Sequence, residues 1–313
     1  MNKKNIVFYS LILLFVLWVS LILTDNVSWF DEPIYNFIIG FKSPGLSRFM
    51  ACITALSNPT VIVFLCVLSL LFLIVHKRWP IALVGTSLIS VAFNQGLKNI
   101  IKRPRPDHLR LIEEGGYSFP SGHAMGSMAF YGFIILILCK LNINKCLKCI
   151  LIILLSVLIL LIGISRVYLG VHYPKDVVGG LIIGSLMSYI TYRLFVKVEN
   201  RKLLYLLTLL VFLPAIFNSS SDFARSIGGY SGFVLGIWFE MRYVNFQLSR
   251  SIFRRTMCFI IGISSLLSIK MFFSCFMVET DYAKFISNMI ISFYGFGLYP
   301  YLFNKVSLRS RIN

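Results

Sequence analysis

The sequence predicts an all-α protein that crosses a membrane several times. Hydrophobic residues make up 58% of its 313 residues and charged residues only 13%, whereas a soluble domain carries about 25% charged residues. The mean hydropathy is +0.82, and one water-soluble core could not enclose this much apolar surface. These observations exclude a soluble fold and identify the lipid bilayer as the solvent of the protein.

Ten apolar runs predict the membrane-spanning helices, since about 20 apolar residues cross the hydrocarbon layer of a bilayer. Lys3 and Lys4 precede the first run, and residues 24–26 offer no small-residue cleavage site, which favours a membrane anchor over a signal peptide. The eighth run is short and rich in glycine. The predicted spans are residues 6–23, 60–75, 81–97, 121–139, 150–164, 177–195, 203–217, 229–241, 257–273 and 285–303.

A polar break at residues 197–202 separates six of these spans from the last four. We therefore predict two domains, residues 1–202 with six spans and residues 203–313 with about four. In the second domain, Gly228, Gly232 and Gly236 recur every four residues and give one helix a face for close packing. We interpret this face as structural.

The net charge of +18 is explained by the membrane topology. With the N-terminus in the cytoplasm and the spans alternating, 18 basic and 2 acidic residues fall inside, and 11 basic and 10 acidic residues fall outside. This asymmetry follows the positive-inside rule. It predicts that both termini are cytoplasmic, and nucleic acid is not needed as a partner to explain the charge.

One outer loop departs from that rule, since basic residues are normally scarce on the outer side. The loop between the third and fourth spans holds Lys98, Lys102, Arg103, Arg105 and Arg110. This cluster indicates an anionic ligand. A patch that binds lipid headgroups is the alternative for this loop taken alone.

Three segments with polar side chains meet at this same outer face. Residues 98–106 end the third span, residues 120–123 begin the fourth, and residues 165–176 join the fifth to the sixth. The topology therefore brings two of the four histidines, three cations and a carboxylate to one membrane depth.

Several of these residues suit a phosphate group. Arginine offers a bidentate fork and lysine a point charge to phosphate oxygens, which assigns Lys98, Arg105 and Arg166 to phosphate binding. Ser121 and Gly122 begin a predicted helix, where backbone N–H groups and the helix dipole favour an anion. Together these residues predict a phosphate cradle.

Two histidines and an aspartate supply the chemistry. His172 and Asp176 are four residues apart, so that the carboxylate can hold the imidazole in one tautomer while the other nitrogen faces phosphorus as a nucleophile. His123, on a different helix, is placed to protonate the leaving oxygen and then to activate water. No acidic or His-rich cluster accompanies them in the sequence, so we expect a metal-independent mechanism through a phosphohistidine, without a cofactor.

This pattern resembles a known family. Lys-x6-Arg-Pro, Pro-Ser-Gly-His and Ser-Arg-x5-His-x3-Asp, within residues 98–176, look like the complete signature of the type 2 phosphatidic acid phosphatase superfamily. The resemblance implies a six-helix phosphatase core over about residues 1–200, with the active site at the outer surface. It also implies that His172 is the nucleophile, Asp176 its partner and His123 the general acid. By the same resemblance, phosphate is bound by Lys98, Arg105, Ser121, Gly122 and Arg166.

Other polar residues fall outside the signature. We interpret His76 as an interfacial anchor, and His108 lies near the site without matching a motif. We interpret residues 113–116 as a solvated loop. A lid over the site is the alternative. Cys146 and Cys149 have CxxC spacing without a second pair, so we expect neither a metal nor a redox site there.

The site and the membrane together predict a lipid phosphate or pyrophosphate phosphatase. An amphiphile whose tail stays in the bilayer fits a cationic site at the membrane interface, and the composition suggests a bacterial plasma membrane. Undecaprenyl pyrophosphate, phosphatidylglycerol phosphate and phosphatidic acid are the substrates considered. A phosphotransferase that uses the same site, a transporter and a noncatalytic lipid-binding protein remain as alternatives.

Overall fold

The structure is a computed structural model that describes residues 28–72, 78–106, 110–193, 220–246, 251–277 and 280–303, together with six residues between 10 and 20. All the regular elements in these ranges are helical, so the predicted all-α fold is confirmed. The α-helices, numbered in chain order, are α1 Ser28–Ile39, α2 Pro44–Ala55, α3 Pro59–Phe72, α4 Arg78–Ile101, α5 Gly122–Leu138, α6 Lys145–Tyr168, α7 Pro174–Thr191, α8 Ser221–Phe239, α9 Ile252–Phe276 and α10 Asp281–Phe293. Short π-helical turns, Glu240–Val244 and Tyr294–Leu298, follow α8 and α10.

The chain divides into two compact units. The first unit comprises Met1–Cys66 and Arg78–Lys197, and the second comprises Val67–Lys77 and Val198–Asn313. The first unit therefore contains α1, α2 and α4 to α7, the second contains α8 to α10, and the division falls within α3. The predicted domains at residues 1–202 and 203–313 stay a prediction.

Several helices are long and apolar enough to cross a membrane. They are α4 from Trp79, α6, and α9 from Thr256. The pair α2 and the first part of α3 meets the same criterion as a single span that bends by 44° at residues 56–58, and α5 is apolar but shorter. The predicted count of ten spans also rests on residues outside the described ranges, among them 203–217 and most of 6–23. His76 and His108, for which the sequence also makes predictions, lie outside these ranges as well.

Two helices lie where the apolar pattern predicts no span. Both α1 and α2 have 12 residues, or about 18 Å of helix, so neither produces the long apolar run that identifies a membrane span. Their sequence signals are local instead. Ser43 accepts a hydrogen bond from the backbone N–H of Leu46 at 3.3 Å, and Pro44 occupies the first turn of α2, as is typical of a helix start.

The helix α5 lies at the centre of the first unit, packed against α4, α6 and α7. Its backbone comes very close to that of α7 because two glycines of α7 face it. A Cβ atom at Gly180 would lie 2.8 Å from the carbonyl oxygen of Ser121, and one at Gly184 would lie 2.5 Å from that of Met125. This close approach brings the N-terminal ends of α5 and α7 together, and the site is built there.

The second unit is held by the predicted glycine face. Gly228 and Gly232 of α8 face α10 so closely that a Cβ atom would overlap the backbone of Phe285 or Met289. At Gly236 a Cβ atom would lie 3.0 Å from the Cβ of Phe296 in the second π-helical turn. Close helix packing along this face is confirmed, and its partner is the last helix of the same unit.

Candidate active site

The predicted site residues lie at the ends of α4 to α7 and in the segments between them. Lys98 is in the last turn of α4, Arg105 in the segment that follows, Ser121 to His123 at the start of α5, Arg166 in the last turn of α6, and His172 and Asp176 on either side of the start of α7. Six of the eight are buried: Lys98, Arg105, Ser121, Arg166, His172 and Asp176. Gly122 and His123 are half-buried.

A tight turn after α6 carries His172 into the site. Gly170 adopts a φ of +76°, in the left-handed region that glycine enters without steric penalty. The next residues lead directly to His172, which is fully buried. A side chain at position 170 would strain this turn, so the glycine helps to fix where the imidazole lies.

The hydrogen bonds of His172 define its tautomer. Nη1 of Arg105 lies 3.1 Å from Nε2 of His172, and because a guanidinium can only donate, Nε2 is the unprotonated nitrogen. Nδ1 then carries the proton and donates to Oγ of Ser118 at 3.3 Å. The Ser118 hydroxyl in turn donates to Oδ2 of Asp176 at 2.5 Å. This chain leaves the lone pair of Nε2 facing the cations of the site.

The predicted contact between Asp176 and the imidazole is indirect. Oδ2 of Asp176 lies 3.7 Å from Nδ1 of His172, beyond hydrogen-bond distance. Ser118 lies between the two groups because the segment before α5 crosses the start of α7, where the backbone N–H of Ser121 donates to the carbonyl of Asp176 at 3.0 Å. The structure thus adds a hydroxyl that the spacing of four residues does not reveal.

The Asp176 carboxylate is also held by Arg103. Nη1 of Arg103 bonds Oδ1 of Asp176, and Nη2 bonds Oδ2 of Asp31 in α1 at 2.9 Å. Asp31 also pairs with Lys175, through Nζ at 3.2 Å and the backbone N–H at 2.9 Å. The ring of Tyr173 lies 4.2 Å from the Arg103 guanidinium carbon. Two carboxylates and two cations therefore balance one another beneath the imidazole.

Two arginines of the predicted phosphate cradle converge on one carboxylate. Arg105 donates from Nη2 to Oε1 of Glu114 at 3.2 Å, and Arg166 donates from Nη2 to Oε2 of the same residue. Nη1 of Arg166 is held by Thr54 Oγ1 at 2.9 Å. A planar anion thus bridges the two guanidinium groups. An open cavity of about 770 Å³, lined by residues 110–115, adjoins it.

Two buried donors at the site have no partner. Among the residues that the structure describes, the only buried side-chain nitrogen or oxygen atoms without a hydrogen bond are Oγ of Ser121 and Nε of Arg166. Ser121 is the N-cap residue of α5, yet its hydroxyl makes no capping hydrogen bond. Its backbone N–H, which the sequence assigns to phosphate, is used by the carbonyl of Asp176. The hydroxyl is the group that Ser121 has available for a ligand.

His123 is held by the break between α2 and α3. Its Nε2 lies 2.9 Å from Oδ1 of Asn58, and its backbone carbonyl accepts a hydrogen bond from Ser57 at 2.9 Å. The charges of Lys98 and Arg105 act on this imidazole as they do on His172. The two histidines therefore share one cationic environment.

Burial, together with the positive charge of the site, keeps His172 neutral. Burial lowers the pKa of its imidazole well below the ordinary value, and the positive charges of Arg105, Arg166 and Lys98 lower it further. Burial also lowers the pKa of the Arg105 guanidinium to about 10, against the opposite effect of Asp176. A neutral imidazole among cations is suited to attack an anionic phosphate group.

Within the described ranges, no three His, Cys, Asp or Glu side chains are grouped as metal ligands. Metal independence stays a prediction, to be tested with a chelator. His108 lies outside the described residues. Of the predicted loop at residues 113–116, Glu114 reaches the site and Glu113 is exposed.

Several polar residues of the site do not belong to the sequence signature, among them Asp31, Asn58, Arg103, Glu114 and Ser118. Arg103 and Ser118 stand beside matched motifs, and their proximity in the chain was a usable signal. Asn58 is part of a polar Ser-Asn-Pro break in an apolar region. Asp31 gives no such signal, because it reaches the site only through the packing of α1.

The signature and the fold identify the family. The sequence model of the PAP2 superfamily matches residues 79–200, and that of the "PAP2 superfamily phosphatase, transmembrane extension" matches residues 224–311. The chain belongs to the PAP2 superfamily. The last third, which has no counterpart in the six-helix core, thus matches an extension found in phosphatases of this superfamily.

The chain is similar to known lipid phosphatases. Phosphatidylglycerophosphatase B of Bacillus subtilis is 33% identical over 187 residues, which cover 58% of this chain and 91% of the relative. Lipid A 4'-phosphatase of Bacteroides thetaiotaomicron is 28% identical over 200 residues, 56% of this chain and 82% of that protein. The crystal structure of a transmembrane PAP2-type phosphatidylglycerolphosphate phosphatase from Bacillus subtilis has a TM-score of 0.57 at 31% identity, and covers 62% of this chain and 98% of that one.

The family and the fold establish a membrane-embedded lipid phosphatase. Its class of reaction is the hydrolysis of a lipid phosphate or diphosphate. This confirms the predicted enzyme class and the prediction that the protein is embedded in a membrane. The bacterial plasma membrane, the cytoplasmic termini and the outward-facing site stay predictions.

Proposed function

We propose that this enzyme hydrolyses the terminal phosphate of a membrane phospholipid, with phosphatidylglycerol phosphate as the first candidate, through a phosphohistidine at His172. The observation that carries the proposal is the pair of buried donors without a partner, Oγ of Ser121 and Nε of Arg166. An unsatisfied buried donor is costly. These two unsatisfied donors lie in the same site as a neutral, oriented imidazole. A tetrahedral anion that accepts a hydrogen bond from both donors explains why they are left unpaired.

In the first step, Nε2 of His172 attacks phosphorus and the bond from phosphorus to the lipid oxygen breaks. His123 gives its proton to that oxygen, so the lipid leaves as an alcohol. Nη1 of Arg105 faces Nε2 of His172 in the structure. When substrate binds, Arg105 donates from this nitrogen to a phosphate oxygen instead. Arg166 and Lys98 neutralise the charge that develops on the transferring group.

In the second step, neutral His123 takes a proton from water, and the resulting nucleophile attacks the phosphohistidine. The bond between nitrogen and phosphorus breaks, which restores the Nε2 lone pair of His172 and releases inorganic phosphate. The chain through Ser118 to Asp176 keeps the proton on Nδ1 throughout. In this way Asp176 acts on the nucleophile through a hydroxyl.

The substrate class rests on the membrane and on the relatives. A lipid tail stays in the bilayer while the phosphate enters the cradle, and the Bacillus subtilis relatives are described as phosphatases of phosphatidylglycerol phosphate. Phosphatidic acid, a phosphate monoester, and undecaprenyl pyrophosphate, whose terminal phosphate would leave behind a lipid phosphate instead of an alcohol, are the competing substrates. A phosphotransferase would share the first step and differ only in the acceptor.

The experiment is an assay of phosphate release by the purified full-length protein against these three lipids, with EDTA present. We expect the highest kcat/KM on phosphatidylglycerol phosphate and no effect of EDTA. His172→Ala should abolish the acid-labile phosphoenzyme, whereas His123→Ala should slow turnover and leave phosphate binding intact. Phosphoenzyme that persists in His172→Ala would reverse the assignment, and phosphate transferred to a second lipid instead of water would identify a phosphotransferase.

We further propose that the site faces outward in a bacterial plasma membrane, with both termini in the cytoplasm. The distribution of basic residues supports this orientation. Single cysteines at position 113 and at position 145, in a background without other reactive thiols, test it with an impermeant reagent on intact cells. We expect labelling at position 113 only. Labelling at position 145 only would show that the site lies on the cytoplasmic side of the membrane.

We also propose that residues 1–202 contain the whole catalytic apparatus. All the signature residues and the additional polar residues described at the site lie within this range. A chain that ends at residue 202 should still hydrolyse a short-chain lipid phosphate in detergent. A folded, monodisperse truncated protein that is inert towards every substrate of the full chain would show that the last third completes the site.

A further inference from the structure

The break between α2 and α3 reaches the active site at several points. Next to it, Oγ1 of Thr54 accepts a hydrogen bond from Arg166 at 2.9 Å. Within it, Ser57 donates to the backbone carbonyl of His123, and Oδ1 of Asn58 lies 2.9 Å from the Nε2 atom of that residue. The family signature contains none of these positions. A bend of 44° in an apolar helix pair thus supplies polar groups directly to the site.

The contact of Asn58 determines which nitrogen of His123 is free. An amide oxygen only accepts hydrogen bonds, so Nε2 of His123 carries a proton that Asn58 holds. When the imidazole takes up its second proton, that proton must reside on Nδ1. The hydrogen bond therefore holds the ring through Nε2 and leaves Nδ1 as the nitrogen that can take up and release the second proton.

The backbone around Asn58 is itself well fixed. Its N–H donates to the carbonyl of Ala55 at 3.0 Å, and its carbonyl accepts from the N–H of Ile62 at 3.0 Å. Pro59 follows directly and begins α3. Tyr131 of α5 donates to the carbonyl of Leu56 at 2.8 Å. The two backbone hydrogen bonds of Asn58 itself therefore hold the segment from which its amide reaches Nε2 of His123.

We propose that Asn58 is a positioning residue that aligns His123, so that the Nδ1 proton is delivered to the leaving lipid oxygen. This inference rests on the proposed role of His123 as general acid. Asn58 touches neither phosphate nor leaving group and acts only through the imidazole. It extends the catalytic arrangement to the α2–α3 break.

The inference predicts a dependence on the leaving group. A lipid alkoxide is a poor leaving group and needs the aligned proton, whereas an aryl oxide with a low pKa leaves without it. General acid catalysis contributes about 10²- to 10⁴-fold, and a misplacement of 1 Å can remove about 10²-fold. We expect Asn58→Ala to reduce kcat/KM by about 10- to 100-fold on the lipid phosphate. On p-nitrophenyl phosphate the reduction should stay below about 3-fold, since the proton is not needed there.

The quantity to measure is kcat/KM on both substrates in the full-length enzyme. It reports the steps up to departure of the leaving group, so the later hydrolysis of the phosphohistidine does not enter. Inhibition by inorganic phosphate should be unchanged in Asn58→Ala, because the phosphate cradle is intact. Asn58→Asp retains an oxygen acceptor at the same place and should restore most of the lipid activity.

Two control variants separate positioning from folding. Tyr131→Phe removes another hydrogen bond to the same break without touching the imidazole, and should leave the ratio of the two activities unchanged. His123→Ala should show the same leaving-group dependence as Asn58→Ala, and adding Asn58→Ala to it should cause no further loss. Asn58→Leu, which is close in volume but has no acceptor, replaces Asn58→Ala if the smaller side chain impairs folding.

The outcomes are distinguishable. Equal loss on both substrates, or no loss on either, in a folded Asn58 variant while His123→Ala remains leaving-group dependent would overturn this inference alone. If His123→Ala itself affects both substrates equally, the general-acid role of His123 fails, and the inference about Asn58 fails with it. A selective loss that Asn58→Asp restores supports both.

Discussion

The two units of the molecule bury different kinds of side chain. In the first unit, the described residues bury seven acidic or basic side chains: Asp31, Lys98, Arg105, Arg166, His172, Lys175 and Asp176. In the second unit they bury Glu240, whose carboxylate accepts the backbone N–H of Phe246 at 2.8 Å. The second unit is assembled instead through the glycine face of α8, where backbones meet directly.

This difference separates function from assembly. Removing a charge from water carries a penalty of several kcal/mol even in a real protein, and good pairing is needed to offset it. In the first unit, charged side chains are buried at the ends of α4 to α7, where pairing between opposite charges offsets this penalty and holds the side chains in place. Among the described residues, the second unit buries such a group only at Glu240, and glycine contacts bring its helices together without polar groups. In the part of the chain that the structure describes, buried charge is therefore concentrated in the unit that holds the proposed active site.

The largest expected effect comes from the buried carboxylate of the first unit. The Asp176 carboxylate accepts from Ser118, Arg103 and the backbone N–H of Tyr173, and the amide of Asp176→Asn cannot accept at both positions. The chain that keeps the proton on Nδ1 of His172 then loses its anionic end, and the imidazole is no longer held in the tautomer with a free lone pair on Nε2. We expect kcat to fall by about 10³- to 10⁴-fold, as for other catalytic imidazoles in the wrong tautomer. Steady-state kinetics on a lipid phosphate measures this.

The matched control is an exposed carboxylate of the second unit. Asp222 pairs with Arg225 at 3.3 Å, and both side chains are largely exposed, so Asp222→Asn should leave kcat unchanged. Activity of Asp176→Asn within 10-fold of the wild type would contradict the direction of the hydrogen bonds described above.

The next effect concerns assembly of the second unit. Gly232→Ala forces a methyl group against the backbone of Met289 and should lower the free energy of unfolding by about 1–3 kcal/mol. Gly229 is three residues away on the same helix, and a Cβ atom there meets nothing within 4 Å. Gly229→Ala should be neutral or stabilise by about 0.5–1 kcal/mol, because alanine favours the helix. Thermal unfolding in detergent compares the two.

The same substitution in the first unit sharpens the contrast. Gly180→Ala pushes on the carbonyl of Ser121, so it should reduce kcat/KM as well as stability. Gly126→Ala meets open space, so it should leave kcat/KM unchanged and, like Gly229→Ala, be neutral or stabilising. If Gly232→Ala lowered kcat/KM as much as Gly180→Ala in folded protein, the separation of catalysis from assembly would be wrong.

A smaller effect is expected at the carboxylate that bridges the cradle. Glu114 accepts from both Arg105 and Arg166, so a phosphate group must displace it. Glu114→Gln removes the competing charge and should lower the Ki of inorganic phosphate by roughly 3- to 10-fold, equivalent to about 1 kcal/mol. Glu113→Gln changes an exposed neighbour and serves as the control. Weaker inhibition by phosphate in Glu114→Gln would show that Glu114 supports the cradle instead of competing with substrate.

The smallest effect is on the pH profile. The reactive form of His172 is neutral, and its pKa lies well below 6.5, first because of burial and then because of the cations around it. Protonation therefore stops the reaction only at acid pH, so the acid limb of kcat/KM should lie below pH 6.5. The charged groups that face His172 are Arg105, Arg166, Lys98 and His123, with Asp176 beyond Ser118.

Removing one of these cations should raise the pKa of His172. In Lys98→Met the acid limb should move to higher pH, towards the ordinary histidine value, while the maximal rate falls because phosphate is bound less well. Lys270, in α9 of the second unit, has no such role, and Lys270→Met should leave the limb in place. An acid limb that moves to lower pH in Lys98→Met would contradict the electrostatic account.

Much of the site could be predicted from the sequence because its residues cluster near helix ends. His123, Arg166 and Asp176 belong to short motifs, and alternating helices return these motifs to one face. The direct contact between Asp176 and His172 could not be predicted correctly, since Ser118 enters from a different segment. Spacing of four residues gives proximity along one helix start and says nothing about a third side chain that lies between.

The sequence by itself determined the solvent, the helical class and the residues of the signature. Composition and apolar runs are local sums over neighbouring residues, and they decide whether a segment prefers lipid or water. Only the tertiary structure decided which groups hold the signature residues in place. Asp31 reaches Lys175 across 144 residues of sequence, and Asn58 reaches His123 across 65. Such partners depend on distances of a few ångströms between packed helices, which no local pattern encodes.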